Sequence, residues 1–242
     1  MRKKILVGGV VAVVALLLGG AAYAAVTVTF KASVSPSKAG KPTALKVSIL
    51  SNDPAAEQPP IMNRIVIKLD GKAKFNPSKF KRCKLSSLQA KGPKGCPSAS
   101  KIGTGNGIGM ARPVVTDPVN AKLTMFNGRR TGGKDTIYVY VFPDLGPTFV
   151  TVGKVSHRGG KYVLDFSIPP IKTLPSAPDA SVVSVKTKTP IKRVTKRRHG
   201  KRKKYYLIVA PSKCKGSWKG SGTFYFRTGE RVDVPISQKC KK

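Results

Sequence analysis

Eleven cations crowd into the nineteen residues from Lys186 to Lys204: Lys186, Lys188, Lys192, Arg193, Lys196, Arg197, Arg198, Lys201, Arg202, Lys203 and Lys204. No carboxylate occurs from Ala180 to Gly229, so nothing close in sequence neutralises them. Clustered Lys and Arg displace counterions from polyanions, and the same chemistry serves phosphate-rich polymers, acidic polysaccharides, anionic lipid headgroups and nucleic acids. The plainer alternative is a solvated charge run that keeps a turn soluble. The residues placed for polyanion contact are Lys192, Arg193, Lys196, Arg197, Arg198, Lys201, Arg202, Lys203 and Lys204, around a reversal at His199-Gly200.

Other candidates for chemistry are sparse. The four cysteines fall as two local pairs, Cys83 with Cys96 and Cys214 with Cys240, although four cysteines formally allow three connectivities. Neither spacing matches a zinc ligand set and no histidine lies near either pair, so two disulfides are expected and no metal site. Each bridge would add about 3 kcal/mol by restricting the unfolded chain. His157 and His199 are the only near-neutral bases, Glu57 and Glu230 the only glutamates, and neither G-x-S-x-G nor H-E-x-x-H occurs. A hydrolase would need distant carboxylates such as Asp135, Asp144 and Asp165 to converge. Gly103, Gly105, Gly107 and Gly109 alternate along one segment, but not in the order of a phosphate-binding loop, so no cofactor is expected. A strand approached closely by another backbone or an aromatic ring suits them better.

The elements that must carry these residues are strands. Leu45, Val47 and Ile49 alternate with polar residues, as do Ile137, Val139 and Val141 with Tyr138, Tyr140 and Phe142. Such period-two patterns describe strands with one buried face. Tyr138 and Tyr140 on one face suggest ordinary packing, with a stacking platform as the functional alternative. Arg158-Gly159-Gly160 joins two apolar runs as a hairpin, Asn127-Gly128 signals another turn in a connection that Arg129 to Lys134 lengthens, and Leu85 to Gln89 reads as one helical turn. Residues 169–178 are proline-rich and read as a crossing between sheets. Val183, Val185, Thr187 and Thr189 share a face opposite Lys186 and Lys188, which predicts a long basic hairpin at about 181–210.

The first residues decide how the charge is interpreted. Arg2, Lys3 and Lys4 precede the apolar run Ile5 to Leu18, and Ala22-Tyr23-Ala24 offers a cleavage site before Ala25, the pattern of an export signal over residues 1–24. Retained uncut, the same run would anchor the chain in the membrane, and either outcome places the rest outside the cytoplasm. Export favours disulfides over free thiols and moves the expected polyanion from nucleic acid towards the envelope. The formal net charge is +36, with 46 Lys and Arg against ten acidic residues, so internal pairing cannot neutralise the surface.

The segment Cys96-Pro97-Ser98-Ala99-Ser100-Lys101-Ile102-Gly103-Thr104-Gly105, with Cys214, Trp218, the run Gly222 to Phe226 and Cys240, resembles uncharacterised exported β-sandwich proteins of high-GC Gram-positive bacteria that share a Cys-Pro-x-x-Ser-x-x-Gly motif. The resemblance implies export, β architecture and local disulfides, but no activity, and it does not include the basic hairpin.

The expected molecule is an all-β protein: residues 25–242 as a single antiparallel β-sandwich, immunoglobulin-like in general architecture, with two local disulfides. Its expected role is noncatalytic association with the cell envelope through acidic polymers or anionic lipid. Extracellular nucleic-acid binding is the alternative, and a secreted hydrolase a more distant one.

Overall fold

The computed structural model describes residues 26–174, 177–198 and 200–242, and the expected export signal lies outside them, as does His199. Strands β1 (Thr27–Ser35), β2 (Ala44–Asn52) and β3 (Met62–Asp70) lead to a short β4 (Lys74–Phe75) and helix α1 (Leu85–Lys91). β5 (Lys101–Ala111), β6 (Val115–Asn127), β7 (Asp135–Pro143), β8 (Phe149–Arg158) and β9 (Lys161–Ser167) follow. β10 (Ser181–Thr189), β11 (Arg193–Arg198), β12 (Lys201–Tyr206), β13 (Ile208–Val209), β14 (Ser217–Phe226) and β15 (Arg231–Lys239) complete the chain.

The protein is all-β and antiparallel, as its alternating patterns predict, and both expected bridges form, Cys83 with Cys96 and Cys214 with Cys240. Eleven strands make one continuous sheet in the order β1-β2-β10-β5-β6-β7-β8-β9-β3-β14-β15. With every neighbouring pair antiparallel, an odd number of strands leaves the two outermost ones pointing the same way. β1 and β15 do meet in that sense: Lys38 and Lys241 form a parallel bridge, and the Gln238 side chain spans the backbone of Val34, receiving from its N–H at 2.8 Å and donating to its carbonyl at 2.7 Å. The sheet therefore curls around one interior. Pro235 sits in β15, where an edge strand tolerates its missing N–H.

Alternation decides which side chains face that interior. In β1, Phe30 is buried while Thr29 and Lys31 are exposed, and Phe30 meets Phe224 of β14 edge-on at 5.6 Å across the core. Met62, Ile49 and Ile67 pack around this pair. On the outside of β6, β7 and β8, Phe126 and Tyr138 are covered by Leu88 of α1 and the Cys83–Cys96 bridge, so the aromatic face of β7 is a packing surface at Tyr138. The Asn-Gly pair does not make the β6–β7 turn. Asn127 ends β6 fully buried, its Nδ2 donating to the carbonyls of Pro77 and Lys81, and the reversal falls at Gly132 and Gly133, both at positive φ.

All strands run between two ends of the molecule. At the bridged end lie both disulfides, the β6–β7 turn and the basic hairpin. The opposite end carries Val26, the β2–β3 and β7–β8 loops and the crossing from β9 to β10. A buried carboxylate clasps that crossing: Asp179 lies 2.8 Å from Lys172 Nζ and accepts from Arg227 at 2.5 Å. These contacts with Lys172 and then Arg227 hold the Asp179 carboxyl below the ordinary range.

Candidate polyanion-binding hairpin

The basic region forms a hairpin shorter than the sequence suggests. β10 is drawn into the main sheet between β2 and β5, because its Val185, Thr187 and Thr189 face supplies interior side chains that a free hairpin would leave exposed. Pro190 then interrupts the ladder, and only Arg193 to Tyr206 forms the projecting two-stranded unit of β11 and β12. Gly200 at φ 73° supplies the positive φ that a two-residue reversal requires.

Register places like charges opposite one another. Lys196 faces Lys203, Arg197 faces Arg202 and Arg198 faces Lys201, three consecutive cation pairs, with Thr195 opposite Lys204 and Arg193 opposite Tyr206 nearer the root. Directly opposed like charges destabilise a strand pair. Cross-strand partners share a face, so Arg193, Arg197, Arg202 and Lys204 lie on one side, and Lys196, Lys201 and Lys203 on the other. Both faces of the hairpin are cationic. Among the described residues, none of the seven ion pairs involves it.

The root is built differently from the tip. Leu207, fully buried, packs with Ile102, Met125, Ile137 and Val155, while its N–H donates to the Lys192 carbonyl. Asn76 donates through Nδ2 to the Tyr206 carbonyl, and β13 pairs with β4. Lys192 belongs to this root, since its ammonium donates to the carbonyl of Lys101. Burial, and then the nearby Lys101 charge, holds its pKa below the usual lysine range. Tyr205 is likewise engaged, with Lys79 Nζ 5.2 Å and Lys203 Nζ 5.8 Å from its ring centre. The cationic surface also continues down the outer face of the main sheet, where exposed Lys46 of β2 lies opposite exposed Lys188 of β10. The alternation from Val183 to Thr189 predicts those β10 lysines in the hairpin, whereas the sheet pairs them with β2 and β5.

The remaining chemical candidates lie apart. Asp135 and Asp144 stand at opposite ends of β7, roughly 30 Å apart for a nine-residue strand. Asp135 pairs with Arg82 at 2.7 Å, and Asp165 with Arg64 at 2.7 Å, which holds the Asp165 carboxyl below its ordinary range. His157 packs edge-on against Tyr162 at 4.9 Å beside the Gly71 carbonyl. Comparison of the chain with family models, with curated proteins and with solved structures finds no match in any of the three.

Proposed function

We propose that this is an exported, noncatalytic protein that associates with the cell envelope by gripping acidic polymers with the β11–β12 hairpin. The observation that carries the reading is the hairpin's register, which sets three cation pairs opposite one another, while no ion pair among the described residues involves the hairpin. A polyanion threaded along either face would relieve that repulsion as it binds. Polymer is favoured over anionic lipid by position. The hairpin projects from the end opposite Val26, about 30 Å of strand away from the point where the apolar N-terminal segment joins the fold. If that segment remains in a membrane, the hairpin lies beyond the roughly 8 Å over which headgroup charge acts at physiological salt. Single-stranded nucleic acid is less favoured because Tyr205, one of the two aromatics at the hairpin root, already carries Lys79 and Lys203 on its ring.

The test is binding of the full chain to a glycerol-phosphate polymer, to phosphatidylglycerol vesicles and to duplex DNA at one fixed ionic strength. Polymer should bind tightest and weaken steeply as salt rises. Replacing Arg197, Arg198, Lys201, Arg202, Lys203 and Lys204 with glutamine should reduce affinity at least about a thousandfold at low salt, taking about 1 kcal/mol per cation near an anionic surface. Unchanged polymer binding by that variant would overturn the reading, and preferential binding of DNA would replace it with nucleic-acid recognition.

A further inference from the structure

The interior is incompletely filled. A cavity of about 210 Å³ opens towards the Val26 end, and a second of about 130 Å³ lies towards the bridged end. Both are lined by Leu45, Ile137, Leu164 and Thr189, so the two spaces adjoin towards the bridged ends of β2, β7 and β10. A dry apolar cavity of about 150 Å³ is enough to take up a small aromatic molecule. Part of the space follows from the glycine stripe. A side chain at Gly103 or Gly105 would collide with the backbone carbonyls of Lys188 or Lys186, the close approach that alternating glycines suggest. At Gly107 a Cβ would meet nothing nearer than 3.5 Å, and there the missing side chain leaves room in the cavity.

The larger cavity has a chemical character of its own. No charged residue among those described lines it, although the protein is highly cationic. Two of its lining residues, Thr173 in the β9–β10 crossing and Ser181 at the start of β10, are buried with hydroxyls that have no hydrogen-bond partner among the described residues. Buried unpaired hydroxyls are costly, and a neutral acceptor brought into the cavity would satisfy them. A carboxylate there would have no opposite charge to compensate its burial. The rim points the same way: Leu145 and Leu174 are exposed in the loops of this end, and Val114 is 49% exposed in the β5–β6 turn. The chain's own apolar segment joins the fold at Val26, at this same end.

We infer that the cavity at the Val26 end binds the acyl chain of an ester lipid, with the chain among Leu123, Val139, Val141 and Phe166 and the ester oxygen at Thr173 and Ser181. The exposed apolar rim would bring this opening against a membrane, so that a chain could pass from bilayer to cavity without crossing water. The inference is independent of the hairpin, because it concerns the opposite end and an uncharged recognition chemistry.

Displacement of the neutral apolar probe N-phenyl-1-naphthylamine from the full chain tests it, with monopalmitin and palmitate as competitors at pH 8. Monopalmitin should displace the probe at least about tenfold more effectively than palmitate, given the cost of burying the carboxylate without a partner. Gly107→Leu, which fills the cavity, should weaken monopalmitin about tenfold or more. Thr173→Val combined with Ser181→Ala should also weaken monopalmitin, about tenfold. Glutamine substitutions in the hairpin should change none of these values. Where Gly107→Leu loses the native Trp218 fluorescence, Ala121→Leu, at another lining position, replaces it. The inference is overturned if a folded cavity-filling variant binds monopalmitin as wild type does, or if monopalmitin displaces no probe. Palmitate binding as well as monopalmitin would overturn the assignment to an ester.

Discussion

The two ends of this molecule are held by different physics. At the bridged end, loops are fixed covalently and by buried groups: two disulfides, Asn127 bonded to two carbonyls, and Leu207 sealed under the hairpin. The Val26 end has no bridge and is tied by ion pairs, Asp179 with Lys172 and Arg227 and Arg112 with Glu57, with apolar side chains left in solvent around them. Charge divides in the same way. Asp53, Glu57, Asp144, Asp179 and Glu230 lie in the loops of the Val26 end, whereas the densest cations project from the bridged end. Strong like-charge repulsion opposes compaction, so the region that carries it is the region with most cross-links. The less charged end needs less reinforcement and can leave an interior space open.

Mutations that separate the ends sharpen this contrast. The largest effect is expected for Leu207→Ala, which empties a fully buried site at the hairpin root and should cost about 2–5 kcal/mol in denaturant unfolding. A loss under 1 kcal/mol would show that the hairpin is not anchored to the core. Cys214→Ser with Cys240→Ser should remove about 3 kcal/mol, because the bridge closes a loop of 26 residues in the unfolded chain. That loss should be greater at low salt, where cation repulsion is least screened.

At the other end, Asp179→Asn should cost about 1–3 kcal/mol by leaving Lys172 and Arg227 without their shared carboxylate. The folded Asp179 pKa lies below that of the unfolded chain, about 3.9, so its contribution is present above that value and disappears as pH falls through the lower folded value. Acid unfolding of the Asn variant, followed by Trp218 fluorescence, should lack this component, and an identical acid profile would remove Asp179 from the account. The smallest effect is expected for Gly200→Ala at the hairpin tip. No atom lies within 4 Å of the added methyl group, so only the positive φ is penalised, by about 1 kcal/mol confined to the hairpin. Hydrogen exchange should then quicken in β11 and β12 and stay unchanged in β14.

Features governed by neighbours in sequence were legible before the fold. Gly159-Gly160 joins β8 to β9, Gly200 reverses the basic hairpin, and each cysteine pairs locally. Each depends on one φ angle or one short loop. Asn127-Gly128 misled for the opposite reason, since a long-range need to hold the carbonyls of Pro77 and Lys81 overrode its local turn preference. Lys192 counted among the polyanion-binding cations by proximity, yet the fold turns its ammonium to Lys101.

The amino-acid sequence by itself determined the strands, the local cysteine pairs, the basic reversal at Gly200 and the excess of positive charge, because alternation, spacing and composition act over a few residues. Only the tertiary structure decided that β10 lies between β2 and β5, that β1 meets β15, and that Gly107, Thr173 and Ser181 border one apolar space. Strand order and cavities arise from how distant faces fit together, and no local pattern encodes the volume that remains between them.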